Sequence, residues 1–301
     1  MAGPIALLLA ASVLHGYVVR HAMGETQFSA APRNVVVLTN EGTEAMLALG
    51  LTPAGAVRSW GGQPFYPHIE KRMRGVAVVG DEEHVDLRAI AALHPDAILG
   101  NELRQRELYP ALSGIAPTVF SKTLRGEWQR NFRLYAEALG RAKEAERVLT
   151  AWRRRVAGTR QRLGHRLALR VAVLRFMADR TRLYHEQTFS GSVLREVGFT
   201  RTRFRRSGES FEEITLDRLP ELDGDVLFYF TYEEGDGRAS RREGEWTKDP
   251  RWKALRAVRG GRAFKVDDGT WNTAGGIIAA ERMLDDLVRL VGSGEPRKLR
   301  R

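Results

Sequence analysis

The 301-residue chain contains no cysteine. That absence excludes a disulfide framework, a thiolate metal site, a cysteine nucleophile and a lipid-modified cysteine in the sequence as given. Catalytic signatures are missing too. There is no glycine-rich phosphate loop ending in Lys-Ser/Thr, no G-x-S-x-G elbow, no H-E-x-x-H and no G-x-G-x-x-G after a strand. The pairs Gly61-Gly62, Gly260-Gly261 and Gly275-Gly276 read as turns and a helix start. The seven histidines are scattered, and His84 and His94, near strand ends, lack the tight ligand spacing of a bare-metal site. The apolar run Ile5–Leu14 spans ten residues, too short for a bilayer but of the length of a secretory h-region. No Lys or Arg precedes it. Residues 1–32 therefore read as a signal-like or disordered segment, and export is expected.

Lysine is also scarce, so the formal charge of +11 comes almost wholly from arginine. Such a charge suits nucleic acid, an anionic surface or small anionic ligands. The arginines are dispersed rather than clustered, which argues against a nucleic-acid reader. Most of them read as solvated surface.

What is present is organised around Glu127 to Leu163. Phe132, Tyr135, Ala136 and Leu139 recur at helical spacing, and Leu139-Gly140 reads as a stop. From Arg141 to Leu163, Ala145, Leu149, Trp152 and Val156 make one narrow stripe on a rod of roughly 34 Å. That is longer than a small α/β layer needs. It reads as a strut, residues 141–165, between an N-terminal α/β lobe of residues 33–140 and a C-terminal one of residues 166–292, with a basic tail at 293–301.

In the first half, strands at Asn34–Leu38, Ala54–Val57, Val76–Val79, Ala97–Leu99 and Thr118–Phe120 alternate with helices, the pattern of a parallel sheet covered on both faces. The second half repeats it with Val171–Leu174, Val226–Phe230 and Arg262–Val266, a helix ended by Gly198, and a terminal helix over Gly275–Val291. Glu233 to Glu245 reads as a charged surface loop. Loops at the C-terminal ends of such strands share one edge, where ligands bind. They hold Asn40, Arg58-Ser59-Trp60, Tyr66, Asn101 to Arg104, Lys122, Arg125, Arg175-Phe176, Arg182-Leu183-Tyr184 and Trp271-Asn272. Arginines beside flat aromatic walls suit an anionic, oxygen-rich ligand. Arg175, directly after an apolar run, needs a partner if buried.

Leu174-Arg175-Phe176, Arg182-Leu183-Tyr184, Thr188 to Gly191, Val226 to Tyr232, Val266-Asp267-Asp268 and Trp271 to Gly276 resemble the ferric-siderophore substrate-binding proteins of ABC importers. Val57 to Trp60, Pro95 to Asn101 with Arg104-Gln105, and Ile115 to Phe120 agree, so the likeness runs from about Arg33 to Leu290. The nearest subgroup takes hydroxamate or citrate-hydroxamate siderophores. The resemblance implies two Rossmann-like lobes on a rigid helix, no turnover, and no cofactor beyond the ferric ion inside its siderophore. It further implies a monomer at the extracytoplasmic or periplasmic face, partnered by a permease. Carried over by position, Arg104, Arg125 and Arg175 would pair with ligand oxygens, Trp60, Tyr66, Tyr184 and Trp271 would line the cleft, and Asn272 would donate.

Family members dock on the permease through a glutamate on each lobe, where this chain has Arg88 and Asp217. Glu82, Glu83, Glu212 and Glu213 are the neighbouring candidates. Haem, a corrinoid or a bare divalent metal remains an alternative ligand for the same fold. A two-lobed α/β enzyme, such as a nucleotide-sugar transferase, would need a phosphate loop and paired carboxylates that this chain lacks.

Overall fold

The computed structural model describes residues 16–124, 126–202 and 209–292. An antiparallel hairpin of β1 (Tyr17–His21) and β2 (Gly24–Phe28) comes first. It is followed by β3 (Val35–Val37), α1 (Asn40–Ala48), β4 (Gly55–Ala56), β5 (Ala77–Val78), α2 (Leu87–Ala92), β6 (Ala97–Asn101), α3 (Glu102–Gln105), α4 (Tyr109–Ile115) and β7 (Thr118–Ser121). The strands from β3 to β7 form a parallel sheet in the order β5-β4-β3-β6-β7. Val35 and Val37 face one core layer while Val36 and Ile98 face the other. Burial on both faces is why these strands read as unbroken apolar runs.

The hairpin corrects the reading of residues 1–32. From Tyr17 the chain is paired and docked: Tyr17 Oη donates to Ala138 O at 2.8 Å, Thr26 Oγ1 to Thr118 O at 2.8 Å, and Ala22 N to Phe120 O at 3.0 Å. Its alternation of Val19 and Phe28 inward with polar residues outward is too short to stand out in sequence. The apolar run Ile5–Leu14 and the basic tail lie outside the described residues.

Next, α5 (Trp128–Ala138) packs on α1 and β7 of the N-terminal lobe, and α6 (Ala142–Leu163) is the strut. The buried stripe of α6 is Ala145, Leu149, Trp152, Val156, Thr159 and Leu163. The chain then runs through β8 (Arg170–Phe176), β9 (Thr181–Tyr184), α7 (Phe189–Val197), β10 (Thr200–Arg201), β11 (Phe211–Ile214), β12 (Val226–Thr231), α8 (Arg238–Lys248), α9 (Pro250–Ala254), α10 (Arg256–Arg259), β13 (Ala263–Lys265) and α11 (Ile277–Leu287). These strands make a second sheet in the order β11-β9-β8-β12-β13, with β10 beside β8.

Here β8, β12 and β13 are parallel, while β9 runs antiparallel to both of its neighbours, β8 and β11. Gly198 closes α7 in the left-handed conformation, at φ 96°. The stretch Glu233–Glu245 is not a loop. Most of it belongs to α8, whose Ala239 and Trp246 are buried while Arg238, Arg241, Glu245 and Lys248 face solvent, and Trp246 packs 5.5 Å from Phe176. Too few apolar positions mark that face for periodicity to show it.

The strut joins more than it spaces. One continuous core runs from β3 and β6 through α5 and α6 to α7, β8, β12 and α11. Trp152 on α6 meets Trp128 on α5 edge to face at 5.3 Å, and its Nε1 donates to Glu196 of α7 at 2.9 Å. Glu196 also accepts from Gln129 of α5 at 2.8 Å. On the far side, Glu44 of α1 accepts from Ala279 N in the first turn of α11 at 2.9 Å, and its other oxygen bonds His68 Nε2 at 2.6 Å. No helix among the described residues is long and apolar enough to cross a membrane.

Candidate functional site

The strand-end loops of the two sheets meet where Trp60 touches Tyr232, and in the N-terminal lobe that edge is stitched by polar bonds. Thr39 Oγ1 caps α1 by accepting from Gly42 N at 3.0 Å. Asn101 accepts from Leu103 N at 2.8 Å and donates to Ser121 Oγ at 2.7 Å and Thr123 O at 2.9 Å, tying β6 to the end of β7. Glu82 Oε1 accepts from both Asn40 N and Asn40 Nδ2 at 2.8 Å. Burial raises the Glu82 carboxyl above the usual carboxylate range, and the Asn40 bonds and the nearby Arg104 offset part of that. A buried glutamate holding α1 in place is unavailable to a permease, so Glu82 leaves the set of docking residues.

From this floor a chain of contacts crosses to the other lobe. Arg104 Nη1 donates to Glu83 Oε1 at 2.6 Å, and its guanidinium carbon lies 5.5 Å from the Trp60 ring. Trp60 meets Tyr232 at 6.2 Å and 71°. Tyr232, just beyond β12, carries the Arg175 guanidinium 4.6 Å from its own ring. Arg175 ends the run on Asp268: Nε lies 2.8 Å from Oδ1, and Nη2 donates to Oδ2 at 3.2 Å. The order is carboxylate, arginine, aromatic, aromatic, arginine, carboxylate. Each arginine can hold to an aromatic face because its charge is attracted to the ring quadrupole.

Arg175 is 7% exposed, and Nη1 also donates to Tyr184 Oη at 3.3 Å. Desolvation works against its charge, but Asp268 and Tyr184 outweigh it and keep the guanidinium ionised. Asp268 is raised by burial, with Arg175 and a bond from Thr273 opposing. Directly across the strand pair stands Arg182, 4.0 Å from the Phe211 ring and 3.6 Å from Glu213.

Trp60, Arg104 and Arg175 are thus brought together, although both arginines already hold a carboxylate. Tyr184 is buried behind Arg175 and orients it rather than lining open space. Asn272 is half-buried on the turn after Asp268. Arg125 lies outside the described residues.

Two residues do not line the cleft. Trp271 is fully buried, 4.5 Å from Phe228, with Nε1 donating to Asp286 at 2.9 Å. It follows a strand end as expected, but the helical turn Gly269–Thr273 rotates its ring inward. Tyr66 is also buried, stacked on His68 at 5.5 Å and wedged against Gly269 of the other lobe. Burial raises its phenol well above the ordinary tyrosine range.

Among the docking candidates, Glu83 is held by Arg104, Glu212 by Arg218, and Glu213 by Arg180 and Arg182. Asp217 is exposed, its carboxyl lowered by a bond from Thr215, and Arg88 is exposed at the start of α2. The residues that sequence reasoning overlooked are Tyr232 and Asp268. Both close strand-end stretches, Val226–Tyr232 and Val266–Asp268, where position at the sheet edge was the available signal.

No group of three or more His, Cys, Asp or Glu side chains among the described residues converges on a metal site. A cavity of about 470 Å³ opens beside the junction, between His68 and Lys265, Asp267, Arg282 and Asp286. It does not include the Trp60–Tyr232 pair.

Two α/β sheets packed on a shared helical strut, with arginines and aromatic rings from both lobes in contact at their edge, are the build of a binding-protein class. Residues 35–269 match the family described as periplasmic binding protein, and the chain belongs to that family. It is 42% identical over 278 residues to the probable siderophore-binding lipoprotein YfiY of Bacillus subtilis, covering 89% of this chain and 86% of that one. It is 33% identical over 279 residues to the achromobactin-binding periplasmic protein of Dickeya dadantii, covering 91% and 90%. Among solved structures, Staphylococcus aureus SirA complexed with staphyloferrin B superposes with a TM-score of 0.85 at 30% identity, over 91% of this chain and 98% of that one. The fold is the two-lobed α/β architecture of this class.

Proposed function

We propose that this protein captures an anionic ferric siderophore, of the hydroxamate or citrate-hydroxamate type, outside the cytoplasm and hands it unchanged to the permease of an ABC importer. The observation that carries this reading is the pair of arginines from opposite lobes, Arg104 and Arg175, flanking Trp60 and Tyr232. A chelate entering there meets charged N–H donors from both sides and flat walls between them. Arg175 retains N–H groups beyond those given to Asp268 and Tyr184, and a charged hydrogen bond from it contributes about 1.5–3 kcal/mol. The iron is cargo, coordinated by its chelator. Relatives named for siderophore and achromobactin binding, and a neighbour solved with staphyloferrin B, support a siderophore ligand.

The protein acts as a monomer, and its exposed Asp217 with Glu213 offers the permease a carboxylate surface on the C-terminal lobe. Tryptophan quenching against a panel of ferric siderophores tests the reading. Micromolar or tighter binding is expected, weakened about 10- to 150-fold in a folded Arg175→Ala variant. A Soret shift with haem, or zinc binding without a chelator, in place of siderophore binding would assign a different ligand to the same fold.

A further inference from the structure

Arg104 already carries carboxylates of its own lobe. Glu83 Oε1 accepts from Nη1 at 2.6 Å, and Glu82 Oε2 lies 3.8 Å from Nε. The two glutamates differ in freedom. Glu82 is buried and fixed by two bonds from Asn40. The Glu83 side chain is 48% exposed, on a turn whose shape comes from Asp81 accepting from Glu83 N and His84 N rather than from the Glu83 carboxylate. It sits on Arg104, whose guanidinium lies 5.5 Å from the Trp60 ring, and Trp60 meets Tyr232 of the opposite lobe, so Glu83 lies at the cleft. The opposite end of the contact chain is unlike it, because the Asp268 side chain is only 11% exposed and also accepts from Thr273.

We infer that Glu83 is a displaceable internal counter-ion: an incoming ligand carboxylate takes its place on Arg104, which makes Glu83 a specificity-determining residue for ligand charge. This rests on the function proposed above. Glu83 bonds the guanidinium through one oxygen and one nitrogen, whereas a ligand carboxylate meeting the fork with both oxygens forms the stronger paired contact. A neutral ligand gains no such exchange and leaves Glu83 in place. Once released, the half-exposed Glu83 carboxylate exchanges the guanidinium for water. It thereby sets the least negative ligand that the cleft retains.

The test compares wild type, Glu83→Gln and Glu107→Gln, the last removing the same charge from an exposed residue with no ion pair to Arg104. Ferric citrate is the anionic probe and a neutral ferric trihydroxamate the uncharged one. Glu83→Gln is expected to bind ferric citrate about two- to fivefold tighter at low salt, the scale of one exposed ion pair. That gain should vanish near 1 M salt, where screening acts within about 3 Å. The neutral chelate and Glu107→Gln should follow wild type.

Equal gains in both variants would reduce the effect to net charge and overturn the inference, as would unchanged or weaker citrate binding by Glu83→Gln. Lost uptake with unchanged binding would return Glu83 to permease docking. A wild type that binds none of the ferric chelates overturns the proposed function and this inference with it.

Discussion

At the scale of single residues, the question is which charges are free and which are held. Glu41 on α1 is buried beside Glu44 and Glu82, and its Oε1 has no hydrogen-bond partner among the described residues. Burial first, then those two carboxylates, push its carboxyl well above 4.5, with Asn131 opposing. The folded protein therefore keeps a proton that the unfolded chain loses, and stability falls as pH rises from about 4.5 through the raised value. Glu41→Gln removes this penalty. Its urea midpoint should exceed that of wild type at pH 8 by the equivalent of about 1–3 kcal/mol, and the two should converge near pH 4.5. A difference that ignores pH would refute the assignment. Sequence pointed to Arg175 because an arginine directly after an apolar run must find a partner once buried. It could not separate Trp60 from Trp271, since an aromatic at a strand end reads the same whether it turns to the cleft or into the core.

Among the elements, α6 was the most legible, because its stripe repeats over enough turns for the period to emerge. Its chemistry is less visible. Trp152 packs on Trp128 of one lobe and donates to Glu196 of the other. Trp152→Ala should cost about 3–5 kcal/mol by chemical denaturation. Trp152→Phe keeps part of the packing and should cost clearly less, with Glu196 still served by Gln129. Equal losses in the two variants would show that the hydrogen bond, not the aromatic contact, dominates. The short β9 and the charged α8 were hidden in sequence for one reason: each buries too few side chains to impose a period.

For the whole molecule, the lobes are joined through the strut and the seat of α11 on α1, and they also touch at Trp60–Tyr232 and Tyr66–Gly269. In that seat Glu44 caps a helix of the opposite lobe, where the dipole favours a carboxylate. Gly276 makes the approach feasible, since a Cβ there would lie 2.6 Å from Glu44 Cβ and 2.7 Å from its Oε2. Gly276→Ala should therefore destabilise by about 1–3 kcal/mol and raise the radius of gyration in small-angle scattering as the seat loosens. An unchanged radius with the expected loss of stability would show that the strut and the remaining contacts hold the lobes together without the seat.

By itself the chain's order of residues determined the class of fold, the strut and the arginine-rich character of the facing edges, because periodicity and strand-end position are local properties. Tertiary structure alone decided which of those groups meet. Trp60 finds Tyr232, Arg104 is held by Glu83, Arg175 is held by Asp268, and Trp271 and Tyr66 turn inward. Such pairings depend on how two separately folded sheets are set against each other. That placement is governed by the shared core beneath α6 and the cap on α11, which no single stretch of sequence contains.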